Sequence, residues 1–345
     1  MGSLLCIDQT FVGISLHATM SSLLLSAASG GIFGAALTAS GVYSPSVIIS
    51  QLRLGNFHML KSFIAASACS ALIVVTANRA KYAKLSHRTD SSYGWLMRYD
   101  ANVVGGLLQG IGMALTGACP GTVLVQLAVG VKSAWNVAAG CILGAITFVK
   151  LGQHLRRTRS DAPSSPAKYT VQETLGLSTT STVLLYEILC LVMITAATYL
   201  APTRDHWLNP IVGGMLIGVA QATSVLFTRK TVGVSSAWED AGKYFWSLVG
   251  GTSRPALTNI VFATGVMAGS KIISQYTPTL SDAGGLTVTP LAALAGGFCL
   301  IFGARLAGGC TSGHGISGMA TMGLSSFITV ASMFGGGIAS ALLLR

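Results

Sequence analysis

The chain has 345 residues, of which 51% are hydrophobic and only 9% charged, with a mean hydropathy of +0.66; that usage excludes a soluble globular domain and describes an integral membrane protein. A net charge of +11 does not indicate nucleic acid, because the basic residues fall between apolar runs, where they report membrane orientation. Seven cysteines, most of them inside apolar runs, do not make the paired, loop-rich pattern of a disulfide scaffold and read as free thiols.

Taken in chain order, apolar stretches of about the 17–25 residues needed to cross a bilayer predict nine spans, near 21–40, 59–78, 102–118, 133–150, 181–200, 210–228, 256–273, 288–306 and 324–344. Four segments between them, SGVYSPSVIISQ (40–51), CPGTVLVQLAVG (119–130), VGVSSAWEDAGKYFW (232–246) and CTSGHGISGMATMG (310–323), are too short or too broken by Gly and Pro to cross, and predict short or broken helices. The fold class is therefore all-α, with the lipid bilayer as its main surroundings. Sorting Lys and Arg onto alternate connections places fourteen on one set and six on the other, with Arg305 left inside the eighth span. The positive-inside rule then puts the richer set in the cytoplasm, the N-terminus inside and the C-terminus outside, in a plasma-membrane protein. Residues 1–152 form a first membrane half and 181–345 a second. The basic segment 153–180, including RRTRSDAPSSPAK (156–168), becomes a cytoplasmic linker.

GGLLQGIGMALTGAC (105–119) and GGFCLIFGARLAGGC (296–310) align at an offset of 191 with 6 of 15 positions identical, including both terminal cysteines. A fainter echo pairs GGIFGAALTASGV (30–42) with GGMLIGVAQATSV (213–225). An odd number of crossings separates the matched units, so the second copy runs through the membrane upside down, as in inverted-repeat transporters.

Both matched segments end in a break. Pro120 suits the first residue of a new helix, which puts Cys119 at its N-cap. Gly308 and Gly309 end one helix, and Thr311 or Ser312 can cap the next. Irregular backbone at membrane depth survives only where it is buried in protein or lines a wet cavity, so the two breaks mark a path for a small anion met by helix N-termini. Backbone amides bind any anion; the thiols of Cys119 and Cys310 add a soft, polarisable contact and a weak S–H donor, which suits a substrate with a terminal sulfur. A thiolate about 4 Å from one anionic charge would cost about 4 kcal/mol at an effective dielectric of 20, close to a thousandfold in affinity, so a conducting site keeps its thiols neutral. Cys310 and His314 are only two ligands, and zinc wants four or three plus water; no metal and no cofactor is expected, and His314 either lines the path or caps a broken helix. Arg305 is an ionisable residue at membrane depth that either neutralises a passing anion or ties down a carbonyl, whereas Glu187 reads as a structural hydrogen-bonding group. Trp238, Glu239, Asp240, Lys243 and Trp246 form an amphipathic turn suited to the interface.

GARLAGGCTSGHGISGM resembles the signature of the YeeE/YedE family of sulfur-compound transporters, and GIGMALTGACPGT is similar to that family's Cys-Pro-Gly motif. The resemblance spans both halves, from about residue 25 to the end, with the two halves that some relatives carry on separate chains joined here. It implies a non-enzymatic importer of thiosulfate with inverted halves narrowing to a constriction, where Cys119 and Cys310 act as relay thiols. Pro120, Gly121 and Thr122 at one break, and Thr311, Ser312, Gly313, His314 and Ser317 at the other, would complete the path. Thiosulfate-importing members carry a further thiol after the first span, where this chain has Tyr43 and Ser44, and many relatives have Cys where it has Ser317. An alternative reading is a membrane sulfurtransferase that holds a persulfide on Cys310 and passes it to a cytosolic sulfur-handling partner.

Overall fold

The structure is a computed structural model that describes residues 4–95, 97–155, 169–201, 207–251, 253–277 and 288–344. The basic segment 156–168 and the side chain of Cys6 lie outside the described residues. The elements are α1 (Leu4–Ala39), α2 (Pro45–Leu52), α3 (His58–Arg79), α4 (Asp100–Thr116), α5 (Pro120–Val129), α6 (Ala134–Leu155), α7 (Val171–Leu175), α8 (Thr179–Leu200), α9 (Pro210–Thr228), α10 (Ser235–Gly250), α11 (Thr258–Ser274), α12 (Pro290–Leu306) and α13 (Leu324–Leu343). A π-helical segment, Ser312–Gly318, precedes α13. Each of the nine predicted spans coincides with a helix, and each of the four broken segments with a short helix or the π segment.

Among the described residues seven stretches are long and apolar enough to cross a membrane, and α12 is a shorter apolar helix of the same kind. In the second half the breakers act as expected: Asn209–Pro210 and Thr289–Pro290 start α9 and α12, with the Asn209 and Thr289 side chains accepting from backbone N–H groups of the first turn. The outer faces are those of a lipid-bathed protein. α8 packs on α3 and α7 and exposes Leu184, Leu185, Ile188, Leu189, Leu191 and Val192.

The helices pair as two inverted copies. α4 crosses α12 antiparallel, with Gly105 against Gly303 and Gly112 against Gly296. At an offset of 191 the first contact becomes the second. The remaining pairings obey the same exchange: α1 packs on α11 and α9 on α3, α13 on α4 and α6 on α12, α10 on α6 and α2 on α13, α5 on α11 and the π segment on α3. Close approach requires residues without a side chain. A Cβ on Gly30, Gly110, Gly140 or Gly297 would sit 2.1 Å from a carbonyl oxygen of the neighbouring helix, so the glycines that weaken each helix by about 1 kcal/mol are what allow these helices to meet. The short elements α2, α5 and α10 and the π segment are held inside this frame, where they carry the candidate site.

Candidate functional site

α4 ends at Thr116, and Gly117 turns the chain in the left-handed conformation (φ 61°), its N–H bonded to Met113 O. Cys119 is extended and caps α5, with Pro120 as the first helical residue. Its N–H donates to Thr122 Oγ1 at 2.7 Å, and the same hydroxyl lies 3.5 Å from the Cys119 sulfur. Thr122 thus closes the cap and gives the thiol a polar neighbour. Gln126, buried on α5, donates to Tyr43 O at 2.7 Å and Gly117 O at 2.9 Å, satisfying a carbonyl that the end of α4 leaves open. Trp238 of α10 donates to Pro120 O at 3.0 Å.

At the matching position in the second half, α12 ends at Leu306 and Gly308 turns the chain with φ 83°. Beyond Cys310 the chain enters the π segment, a wide turn of a kind common at functional sites. The open carbonyls here are satisfied from far along the chain: Ser91 Oγ donates to Leu306 O at 2.7 Å, Asn102 Nδ2 to Ala307 O at 3.1 Å, and Arg88 to Gly308 O and Gly313 O, both at 2.8 Å. The Cys310 sulfur lies 3.3 Å from Ser312 Oγ and is met by donors from Gly313 and Ser235.

The two breaks meet across a small cavity of about 40 Å³, lined by Cys119, Gly121, Thr122, Thr311 and Ser312, with an apolar wall that includes Phe33, Leu37, Val42, Phe63 and Ile217. That space holds at most a few waters, so little room separates the two breaks in this conformation. Cys310 lies behind Ser312, which touches both the cavity and the Cys310 sulfur. The cavity wall comes from the last part of α1 and the first turns of α3. Arg88 and Ser235 come from the opposite face of the bundle, where the basic connections 80–99 and 229–234 lie. Cys119 thus lines the cavity, while Cys310 lies behind Ser312 on the side that Arg88 reaches.

Other expected site residues stand beside this line. His314 is engaged at both ring nitrogens, Nδ1 with Ser326 Oγ at 3.0 Å and Nε2 with Ala307 O at 3.1 Å, so it holds the end of α12. Among the described residues no three His, Cys, Asp or Glu side chains come together to hold a metal ion. Arg305 is ion-paired with Glu239 and lies 3.4 Å from Ser235 Oγ; it ties α12 to α10. Gly313 gives its carbonyl to Arg88. Ser317 donates to Val232 O at 2.8 Å. Tyr43 and Ser44 are buried at the lead-in to α2; Ser44 Oγ meets Ser46 Oγ at 2.8 Å, while their neighbour Val42 reaches the cavity. Thr311 caps nothing with its hydroxyl; it takes a bond from Gln109 at 3.0 Å and gives one to Met333 Sδ at 3.3 Å.

The 232–246 segment, also read as an amphipathic turn, lies largely in helix α10, with Trp238 buried and Glu239 paired to Arg305 and to the partly exposed Lys243. One expectation needs correction. Glu187 lacks the expected structural hydrogen bond at Oε1, which is buried on α8 without a partner. Sequence reasoning also missed Arg88, Gln109, Gln126 and Ser235. The only advance signal for the two glutamines was a polar side chain within an apolar run.

Residues 39–339 match the family described as Sulphur transport. The chain belongs to that family. It is similar to a thiosulfate transporter of Spirochaeta thermophila, TsuA, 23% identical over 327 residues that cover 88% of this chain and 93% of that protein. It is also similar to a probable transporter of Xylella fastidiosa (strain 9a5c), 30% identical over 137 residues, which make up 93% of that shorter protein and 40% of this chain. The chain is accordingly a multi-pass membrane protein of a sulfur-transporting family, and the two breaks are its candidate path.

Proposed function

We propose that the protein imports thiosulfate, or a closely related anion with a terminal sulfur, across the plasma membrane through the two breaks, with its N-terminus in the cytoplasm. The observation that carries this reading is the continuity from Cys119 through the hydroxyls of Thr122 and Ser312 to Cys310. An anion entering from the face opposite the basic connections meets a neutral thiol in an apolar cavity, where an S–H contact to its terminal sulfur costs no charge repulsion. It next reaches Cys310 among hydroxyl and amide donors, and leaves on the basic face, which the positive-inside rule makes cytoplasmic. No catalysis is required of either thiol. The similarity to TsuA, named a thiosulfate transporter, supports the substrate. The helix exchange supports two membrane halves, 1–152 and 181–345, joined by 153–180; α8 has no partner in that exchange and stands as an addition at the start of the second half.

Uptake of radiolabelled thiosulfate by sulfur-starved cells expressing the chain tests the proposal. Wild type accumulates label; Cys119→Ala and Cys310→Ala each abolish uptake at unchanged protein level. Normal uptake by both variants would remove the relay. One observation favours a second reading, a sulfurtransferase: the donors around Cys310 are those that would hold a thiolate. It predicts that the Cys310 thiolate takes the outer sulfur of thiosulfate, breaking its S–S bond and releasing sulfite, so that one added sulfur is seen by mass after incubation with thiosulfate, together with a cytosolic partner able to discharge the persulfide.

A further inference from the structure

We propose that Arg88 is the gate on the basic face of the path, and that it hands the anion on as it opens. The inference rests on the reading of Cys119 and Cys310 as consecutive points of one path. Arg88 comes from the connection between α3 and α4, which contributes nothing to the cavity at Cys119, yet its guanidinium enters the second break. Nε donates to Gly313 O and Nη1 to Gly308 O, each at 2.8 Å, so one side chain bridges the backbone on both sides of Cys310. Nη2 is turned to Gly233 and Gly313: a Cβ on those glycines would meet it at 3.4 Å and 2.9 Å. The connection that carries Arg88 is anchored on its own account: Ser325 donates to Arg88 O at 3.1 Å, and Asp90 binds Arg98 at 2.7 Å.

Beyond the gate is open space. Gly233 also lines a cavity of about 310 Å³ between α1, α9 and α11, with Ser26, Thr228, Lys230, Thr231 and Asn259 around it. This cavity is large and lined by hydroxyls as well as by Leu25, Phe227 and Phe262, where the one at Cys119 is small and apolar. Arg88 therefore stands between Cys310, 1% exposed, and a vestibule rich in hydroxyls and carrying a lysine. Two carbonyl bonds hold the guanidinium closed. A small oxyanion arriving at Cys310 competes for the same fork, and a bidentate pair between guanidinium and oxyanion is stronger than a bond to a neutral carbonyl. Exchanging carbonyls for anion oxygens frees the 308–313 backbone and brings the anion to the vestibule in one movement. Lysine has the charge without the fork.

The test is the reaction of Cys310 with a membrane-impermeant maleimide added to the basic face of sealed vesicles holding the full chain, with the modified cysteine assigned by peptide mass spectrometry. No substrate is present. Loss of two charge-assisted hydrogen bonds raises the open population, so Arg88→Ala increases the labelling rate of Cys310 about tenfold or more, and Arg88→Lys increases it about threefold. Ser91→Ala, which loosens the same connection without touching the guanidinium, stays within about twofold of wild type. Thiosulfate uptake falls in Arg88→Ala although the gate is open. Wild-type labelling in both Arg88 variants overturns the gate, as does a Ser91→Ala rate equal to that of Arg88→Ala. Uptake faster than wild type in Arg88→Ala overturns the hand-over. If Arg88→Ala does not give a monodisperse protein, Arg88→Lys carries the test. Vesicles that label as expected but take up no thiosulfate leave the gate standing and remove the substrate instead.

Discussion

Cys119 and Cys310 occupy matching positions in two inverted halves, yet their surroundings differ in kind. Cys119 faces an apolar wall and has Thr122 as its hydroxyl neighbour. Cys310 is met by Ser312, Gly313 and Ser235, with the Arg88 guanidinium on the backbone to either side. The repeat thus supplies two breaks with one backbone plan, and the side chains brought to each make one thiol suited to a desolvated soft contact and the other to a held charge. On the proposed path, an anion stripped of water at the first thiol would be re-supplied with donors at the second.

The largest effect is expected where the packing around that shared backbone plan differs between the halves. Gly117 and Gly308 are matched residues, both left-handed, at φ 61° and 83°. A side chain at either costs about 1–2 kcal/mol for the conformation alone. At Gly117 a Cβ would in addition lie 2.7 Å from Pro45 at the start of α2, whereas at Gly308 the nearest atom, of Ser91, is 3.8 Å away. Gly117→Ala should therefore lose most of its folded protein, while Gly308→Ala should fold with a lowered melting temperature, both read by thermal unfolding in detergent. Equal losses would mean that α2 does not press on the first break as the structure has it.

The same comparison separates what is legible in the sequence from what is not. A helix at each expected span is legible because an apolar stretch in a bilayer demands one, and the four short elements because Gly and Pro interrupt the pattern at Pro45, Pro120, Gly233 and Gly308. The offset of 191 is legible because close helix crossings admit few residues besides glycine, and its consequence, the antiparallel contact of Gly105 with Gly303 and Gly112 with Gly296, comes from inversion. The unequal chemistry of the two breaks is not legible. Arg88 reaches Gly313 from 225 residues away, and in the sequence it is one more basic residue on a connection. Arg305 reads as an unpaired charge until α10 brings Glu239 to it, and Trp238 reads as interfacial until it is found on Pro120 O, 118 residues distant. Such partners are set by the packing of helices, and no local spacing encodes them.

Replacing each thiol by a hydroxyl sharpens the comparison further. A hydrogen bond to a charged partner contributes about 1.5–3 kcal/mol, or about 10- to 150-fold. At Cys119 the apolar cavity offers little to compensate for the lost soft contact, so Cys119→Ser should lower the uptake rate about hundredfold. At Cys310 the donors already present remain and a serine adds another, so Cys310→Ser should lower it only about tenfold. Initial uptake rates at saturating thiosulfate decide this. A larger loss at Cys310 would reverse the assignment and place the soft contact at the inner thiol.

The hydroxyl beside each sulfur gives the finest version of the contrast. Thr122 accepts the Cys119 N–H at 2.7 Å and lies 3.5 Å from its sulfur, so Thr122→Val keeps the shape of the side chain but leaves a buried N–H unpaired and the thiol without its hydroxyl. Loss of such a cap costs about 1 kcal/mol of stability, and with the thiol less well placed the uptake rate should fall about tenfold. Ser312 stands 3.3 Å from the Cys310 sulfur but shares that sulfur with donors from Gly313 and Ser235. Ser312→Ala should therefore change uptake by no more than about twofold, because the remaining donors keep the thiol satisfied. If Ser312→Ala is the more damaging of the two, the donors at Cys310 do not substitute for one another, and the Ser312 hydroxyl itself, not only its place between the cavity and the inner thiol, is required. In that case its defect should be restored by Ser312→Thr, which returns the hydroxyl, and not by Ser312→Val.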